Sequence, residues 1–396
     1  MSEISDQTLF SVAVDAPLPG PLSYGQPKNL GAVVRGQAVK VPLGKRKVDG
    51  VVVGLSRDKV DFVVKPIESV SADLPLLPEP TLAWLEWLSR YYFYPLGQVA
   101  SLCFPPLKKG GRGSRKSSPI PEPTPEAELN LTAEQQTVLG QIHAQPGFST
   151  HLLHGVTGSG KTEVYLRLIQ DTLAAGKKVL VLVPEISLTP QLLRRFSNRF
   201  PDQLAVLHSH LTEREKTDQW WSVIDGDKKI LVGARSALFC PIPDIGLIVI
   251  DEEHEPSFKQ DEKLKYHARD AAIMLAKEHD CPIVLGSATP SLESWHNARL
   301  GKFQLHTMSH RVAERKMPEV EVVDMRHERD QRRQEPSETE LPFWLSQTLF
   351  DKLVDCFERK DQAALFLNRR GVAQYVFCPS CGLTYECPNC SISLTL

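Results

Sequence analysis

Gly155-Val-Thr-Gly-Ser-Gly160-Lys161-Thr162 and, later in the chain, Asp251-Glu252-Glu253-His254 supply two halves of one piece of chemistry. The first matches G-x-x-x-x-G-K-[ST]. Its glycines let backbone N–H groups wrap phosphates, Lys161 offsets β/γ charge, and the Thr162 hydroxyl can ligate Mg²⁺. The second ends the apolar run Leu247–Ile250, and the C-terminal ends of such strands are where α/β proteins hold ligands. Asp251 is assigned to magnesium with Thr162, and Glu252 to the general base that activates water. Gly155, Thr157, Gly158, Ser159, Gly160, Lys161 and Thr162 then hold ATP, with Lys161, Asp251 and Glu252 as the catalytic set. Either motif alone is a hint; the pair reads as a nucleotide-hydrolysing motor.

These residues need a scaffold that brings strand ends together. Residues 149–155 lead into the glycine loop, and Thr162–Ala175 reads as a helix with Val164, Tyr165, Leu168, Ile169 and Leu173 available for burial and Gly176 as its C-cap. Val179–Val183, Ile230–Val232, Leu247–Ile250 and Ile283–Leu285 are short continuous apolar runs, the pattern of strands buried on both faces. Alternation of such strands with helices predicts an α/β lobe with a parallel sheet of the RecA-like kind over 130–310. Pro184–Pro190 and Gly286-Ser287-Ala-Thr289-Pro290 each follow a strand end, where hydroxyls can meet a γ-phosphate or a nucleic-acid backbone.

Upstream, Phe10–Val14, Ala38–Val41, Gly50–Gly54 and Phe62–Val64 alternate with Pro and Gly, predicting a small β-rich domain of barrel or sandwich type within 1–105. Residues 81–94 carry a helical period that places Leu82, Trp84, Leu85 and Leu88 against that barrel. Lys108, Lys109, Arg112, Arg115 and Lys116 sit among Gly and Ser, followed by a Pro-rich stretch, so 106–129 reads as a linker. Its basic residues fit either a phosphate contact or a solvated tether. Beyond 311 come a charged connector, a helix over Leu345–Arg359 and a strand over Ala363–Leu367.

Bulk composition narrows the class. The 396 residues are 41% apolar and 24% charged with a formal net charge of −2, which argues against a wholly basic nucleic-acid coat but leaves room for a local basic groove. No run of apolar residues is long enough to span a bilayer, and the acidic, polar N-terminus lacks the pattern of a secretory signal. A cytoplasmic protein with no membrane partner is the expectation. Of eight cysteines, Cys103, Cys240, Cys281 and Cys356 are scattered among apolar residues and read as small core hydrophobes. Cys378-Pro-Ser-Cys381 and Cys387-Pro-Asn-Cys390 form two C-x-x-C hooks, each offering half of a tetrahedral Zn²⁺ site.

Together, Leu131-Thr-Ala-Glu-Gln135, Gly155–Thr162, Glu163-Val-Tyr165, Pro184–Gln191, Gly233-Ala-Arg235-Ser-Ala-Leu-Phe239, Ile248–His254, Tyr266-His-Ala-Arg-Asp270, Gly286–Pro290, Phe366–Gly371 and the cysteine hooks resemble a superfamily-two helicase, and most closely the PriA family of replication restart. The N-terminal likeness rests on Ala16–Pro19 and Val39–Lys45. The resemblance implies ATP-driven 3′→5′ translocation at abandoned forks, with forked and single-stranded DNA, primosome proteins and single-strand-binding protein as partners. It further implies that Gln135 reads adenine, that Tyr24, Gly44 and Lys65 hold a DNA 3′ end, and that Ser287, Thr289 and Arg235 couple DNA to hydrolysis. The loop Glu255–Asp270 takes the place of an aromatic-rich coupling loop, with Phe258 and Tyr266 as stacking groups. In the family each hook pairs with a further downstream hook, giving two zinc ions per chain. Three features depart from the pattern: Leu22-Ser23-Tyr24 replaces Phe-Asp-Tyr, Lys263-Leu-Lys265 stands where an aromatic is common, and the linker is too short for a winged-helix domain. The residues after 340 are too few for a second motor lobe, so the alternative expectation is a truncated module that binds fork DNA and ATP without turnover.

Overall fold

The computed structural model describes residues 8–26, 32–56, 64–107, 121, 130–312, 319–328, 341–342 and 344–366. Two compact units result, Met1–Arg315 and Lys316–Leu396. The linker residues 108–120 and 122–129, strand positions 62 and 63, and all four hook cysteines lie outside the described residues.

The first unit begins with five antiparallel strands: β1 (Leu9–Val14), β2 (Leu22–Gly25), β3 (Ala38–Leu43), β4 (Arg46–Leu55) and β5 (Ser69–Val70), ordered β2-β1-β4-β3-β5. Strand alternation puts Phe10, Val12 and Val14 of β1 on the face that also gathers Val39, Val41, Val52 and Ile67. The β3–β4 hairpin turns at Gly44, whose φ of +60° suits a residue without Cβ. Gly25 donates to Lys65 O and accepts from Ile67 N, which draws the two sheet edges towards each other in the manner of a barrel. β2 lay in a stretch where the residue pattern showed no strand.

Two helices follow, α1 (Glu79–Tyr91) and α2 (Leu96–Ser101). The expectation that α1 packs on the barrel holds for Leu82 and needs correction for the other three residues. Trp84, Leu85 and Leu88 are fully buried in a cluster shared with Phe239, Ala271 and Leu275 of the α/β lobe. Trp84 Nε1 donates to Ala271 O at 2.7 Å, and its ring lies 5.4 Å from that of Phe239. A buried indole needs an acceptor for its N–H, and the Ala271 carbonyl of the lobe supplies it. Leu82 does face the barrel, in a cluster with Val51 of β4, and Arg35 pairs with Glu79 and Glu86 of α1 at 3.1 Å. α2 approaches the barrel more closely still: a Cβ on Gly97 would come within 1.8 Å of Val14 O, so only glycine permits that approach.

The α/β lobe runs α3 (Ala133–His143), β6 (Ser149–Gly155), α4 (Lys161–Ala174), β7 (Lys178–Leu182), α5 (Pro190–Arg199), β8 (Leu204–Leu207), α6 (Glu213–Ile224), β9 (Ile230–Gly233), β10 (Ile245–Asp251), α7 (Ala268–Glu278), β11 (Pro282–Ser287), α8 (Leu292–Arg299) and β12 (Gln304–Met308). Its seven strands are parallel, in the order β12-β6-β11-β10-β7-β9-β8. The continuous apolar runs are explained by two cores, one on each face. Leu180, Leu182, Ile248 and Ile250 point to one side, while Val179, Val181, Leu247 and Val249 point to the other. Because the strands are parallel, the loops after β6, β7, β10 and β11 all emerge at one edge. That edge is where the sequence motifs lie.

In the second unit, α9 (Gln347–Glu358) is capped by Ser346, whose Oγ accepts from Leu349 N at 3.0 Å. The strand expected over Ala363–Leu367 is absent from 363–366, which are exposed and without regular structure. Among the described residues these positions have no neighbouring strand to supply ladder hydrogen bonds.

Candidate nucleotide and catalytic site

The glycine loop connects β6 to α4 and takes its shape from two left-handed residues, Gly158 (φ +83°) and Gly160 (φ +85°). Gly160 caps α4, so the first N–H groups of that helix face the loop. Lys161 is buried and donates from Nζ to Gly155 O at 2.8 Å, across the hollow of the loop. Ser159 Oγ is buried without a partner among the described residues. A curled loop, a cation and an unspent hydroxyl form a cradle that fits a triphosphate.

Gln135 holds this loop from outside. It closes a capping box with Thr132 at the start of α3: its Oε1 accepts from Thr132 N at 2.8 Å. Its Nε2 donates to Ser159 O at 3.3 Å and Gly160 O at 3.4 Å. A Cβ on Gly160 would come within 2.3 Å of that nitrogen. Gln135 therefore sits at the loop, with its amide engaged by backbone. The segment after β12 braces the other side, where Val312 N donates to Gly158 O at 3.0 Å. Glu134 binds Ser309 and His310 of that segment, with Oε1 2.7 Å from His310 Nδ1, and these bonds hold its pKa down at about 2.

The acidic turn ends β10, next to β11 and one strand from β6. Asp251 is largely buried, and Tyr165 donates its hydroxyl to Asp251 Oδ1 at 3.0 Å. Tyr165 lies one helical turn beyond Lys161, so the i, i+4 spacing from the lysine could have revealed it. Burial raises the Asp251 pKa above the usual carboxylate range, against the opposing pull of Tyr165 and Lys161. Glu252 is also raised, first by burial and then by the Asp251 charge. It adopts φ +49°, a left-handed conformation that is costly for a residue with a side chain and is typically stored at functional sites.

Lys161, Thr162, Asp251 and Glu252 line one cavity of about 800 Å³, together with Thr157, Gly158 and Gly160. Arg194 and Arg195 of α5 line it too, and nothing in the motif reading singled them out. Two carboxylates near a lysine, a hydroxyl and helix N–H groups can hold a hydrated divalent cation with its phosphates, because Mg²⁺ needs only one or two protein carboxylates.

His254 links the acidic turn to the loop after β11. Its Nδ1 lies 3.5 Å from Glu252 Oε2 and 2.7 Å from Ser287 Oγ, while Thr289 N donates to the same Ser287 oxygen at 2.9 Å. Ser287 and Thr289 thus meet the carboxylates through a histidine. Glu253, treated in the sequence as part of the motif only, is fully buried and pairs with Arg269 at 3.1 Å. Ser291 N donates to Glu253 Oε1 at 2.7 Å and Ser294 Oγ to Oε2 at 2.8 Å. Arg235 Nη1 donates to the carbonyls of Ser257 and Lys259, so it grips the loop that follows the acidic turn.

That loop does not present the expected stacking groups. Phe258 and Tyr266 are 1% and 5% exposed, packed in the core under the loop, and Tyr266 donates its hydroxyl to Arg235 O. Two large rings in a short loop stabilise it by burying apolar area, and rings so buried have no open face for a base. In the β-rich region, Tyr24, Gly44 and Lys65 do converge on one hairpin. Tyr24 is buried and donates to Pro42 O at 3.1 Å, and Lys65 Nζ reaches Gly44 O at 3.5 Å.

A parallel lobe with this phosphate loop, acidic turn and histidine link defines a helicase-type nucleotide-binding domain. Residues 132–298 match the model of the DEAD/DEAH box helicase, and residues 11–105 match that of the PriA 3′ DNA-binding domain. Replication restart protein PriA of Bacillus subtilis is 46% identical over 285 residues, covering 71% of this chain and 33% of the relative. That of Chlamydia pneumoniae is 34% identical, covering 94% of this chain and 60% of the relative. The chain belongs to the PriA family of replication restart proteins. It spans between 33% and 60% of the length of these two relatives. Among solved structures, RecG bound to a three-way DNA junction is similar with a TM-score of 0.34 and 23% identity, over 48% of this chain and 25% of that one.

Proposed function

We propose that the protein acts as an ATP-dependent 3′→5′ DNA helicase of replication restart, binding abandoned forks and remodelling them so that a primosome assembles and the replicative helicase is reloaded. The observation that carries this reading is the single cavity shared by the phosphate loop and the acidic turn. Its DNA side rests on the 3′ DNA-binding match and on the names of the relatives. In this reading Thr162 and Asp251 hold magnesium, which when bound neutralises the charge of the transferring phosphoryl group. Lys161 leaves Gly155 O for the phosphates, and Glu252 accepts the proton of the attacking water. His254, Ser287 and Thr289 set the position of Glu252, and Arg235 ties the following loop to the same lobe. Tyr24, Gly44 and Lys65 are assigned to the 3′ end of a nascent strand. Primosome proteins and single-strand-binding protein are its proposed partners.

ATP turnover stimulated by single-stranded DNA is the direct test, with Lys161→Ala as the control. Turnover that rises with DNA and vanishes in the variant supports the motor. DNA binding with no turnover in either protein supports the alternative, a module that grips fork DNA and ATP. For Cys378, Cys381, Cys387 and Cys390, the donor chemistry suits zinc, four soft thiolates in two hooks. Metal analysis of the folded chain is expected to find bound zinc that a thiol-reactive reagent releases. A folded, metal-free chain would refute the assignment.

A further inference from the structure

The end of α1 departs from ordinary helix termination. Past the last helical residues, the first left-handed position is normally glycine, since a Cβ there is strained. Here it is Phe93, with φ +51° and 93% exposure. The turn is fastened deliberately: Ser89 Oγ donates to Tyr94 O at 2.7 Å, and Tyr94 N donates to Ser89 O at 3.1 Å. An apolar ring is therefore held in water at a cost in backbone strain, with nothing gained in core packing. Two residues earlier in the chain, the exposed Tyr91 stacks at 4.9 Å, with an interplanar angle of 18°, on Trp87, which is partly buried against the core.

This aromatic end lies against the loop that follows the acidic turn. His267 N donates to the Tyr92 hydroxyl at 3.3 Å, and His267 bridges across the loop to Lys259. Lys259, Lys263 and Lys265 are exposed on the loop, and Arg90 on the last turn of α1. Asp261 and Glu262 share that tip, with Lys259 Nζ 3.5 Å from Asp261 Oδ1, so the cations act locally. Aromatic faces beside a row of lysines match the two parts of an unpaired strand, its bases and its phosphates.

We infer that Trp87, Tyr91 and Phe93 form a stacking platform for the bases of single-stranded DNA, taking the role that the buried Phe258 and Tyr266 cannot. The inference rests on the DNA-binding part of the function proposed above. It also gives the strand a mechanical route to the nucleotide site, because the loop touching Tyr92 begins at Glu252 and His254.

The test compares two fluorescent oligonucleotides of equal length and charge, oligo(dT) and an abasic strand, by anisotropy. The wild-type chain is expected to prefer oligo(dT) roughly tenfold, the scale of one or two stacked bases. Tyr91→Ala with Phe93→Gly should erase that preference while leaving affinity for the abasic strand and for Mg·ADP unchanged. Glycine suits the left-handed site, so this variant is expected to melt no lower than the wild type. Equal wild-type affinity for the two strands overturns the platform, as does a preference that survives in the variant. Concentration-dependent dimerisation that the variant abolishes, without any oligo(dT) preference, also overturns it in favour of self-association. Failure of the wild type to bind Mg·ADP counts against the proposed motor and leaves the strand comparison standing.

Discussion

Arg269→Ala should cost the first unit about 3–5 kcal/mol of stability, the usual consequence of stranding one partner of a buried ion pair. Glu253 is fully buried, and Arg269 is the cation that faces it at 3.1 Å. Ser291 and Ser294 donate to the same carboxylate, but neutral donors do not replace a positive charge. Arg269 also donates to Ser291 Oγ at 2.6 Å, so its loss loosens the start of α8 together with the acidic turn. Equilibrium unfolding in urea measures the effect. The companion double variant, Glu253→Gln with Arg269→Met, should recover more than half of the loss. It removes both charges and keeps an acceptor for Ser291 N. A single variant within about 1 kcal/mol of the wild type would show that water reaches Glu253 and that the pair is no structural keystone.

Asp251→Asn should lower affinity for Mg·ATP at least about 100-fold, the upper end of what loss of even an outer-shell partner costs a metal site. The same change should raise thermal stability. The two effects have one cause. Burial lifts the Asp251 pKa, so the folded protein binds a proton more readily at this position than the unfolded chain does. Between the two pKa values the folded state carries more protons, and stability therefore declines as pH rises through that window. Metal binding needs the ionised form and runs the opposite way, weakening as pH falls through the raised value. Glu252, raised by burial and by Asp251, adds to the same trend. Asparagine keeps an acceptor for the Tyr165 hydroxyl and removes the buried charge. Calorimetric titration with Mg·ATP at several pH values, beside a melting curve for each protein, checks both halves. An Asp251→Asn variant that melts below the wild type would show that ionised Asp251 is satisfied in the folded chain.

Much of the α/β lobe was legible because its cause is local. A strand buried on both faces must be apolar throughout, and Val179–Val183 and Leu247–Ile250 announce this in their composition. Gly176, with φ +78°, ends α4 where a residue lacking Cβ was expected. β2 and β12 were harder: both are edge strands, and Gln304 and Leu305 face solvent, so neither has a continuous apolar signature. Trp84 illustrates another limit. Its helical period showed that it is buried, but the acceptor of its indole N–H, the Ala271 carbonyl, comes from a remote segment that no local pattern names.

The residue types and their spacing determined the chemistry: a phosphate cradle at Gly155–Thr162 and carboxylates at Asp251 and Glu252, since backbone curvature and charge at a strand end follow from short segments. Tertiary structure alone decided how each group is held and which are free to act. It placed Arg269 on Glu253 and Gln135 on the phosphate loop, buried Phe258 and Tyr266, and left Phe93 in water. The reason is distance along the chain. Burial and pairing depend on neighbours contributed by remote segments, and no local pattern encodes which remote segment will arrive.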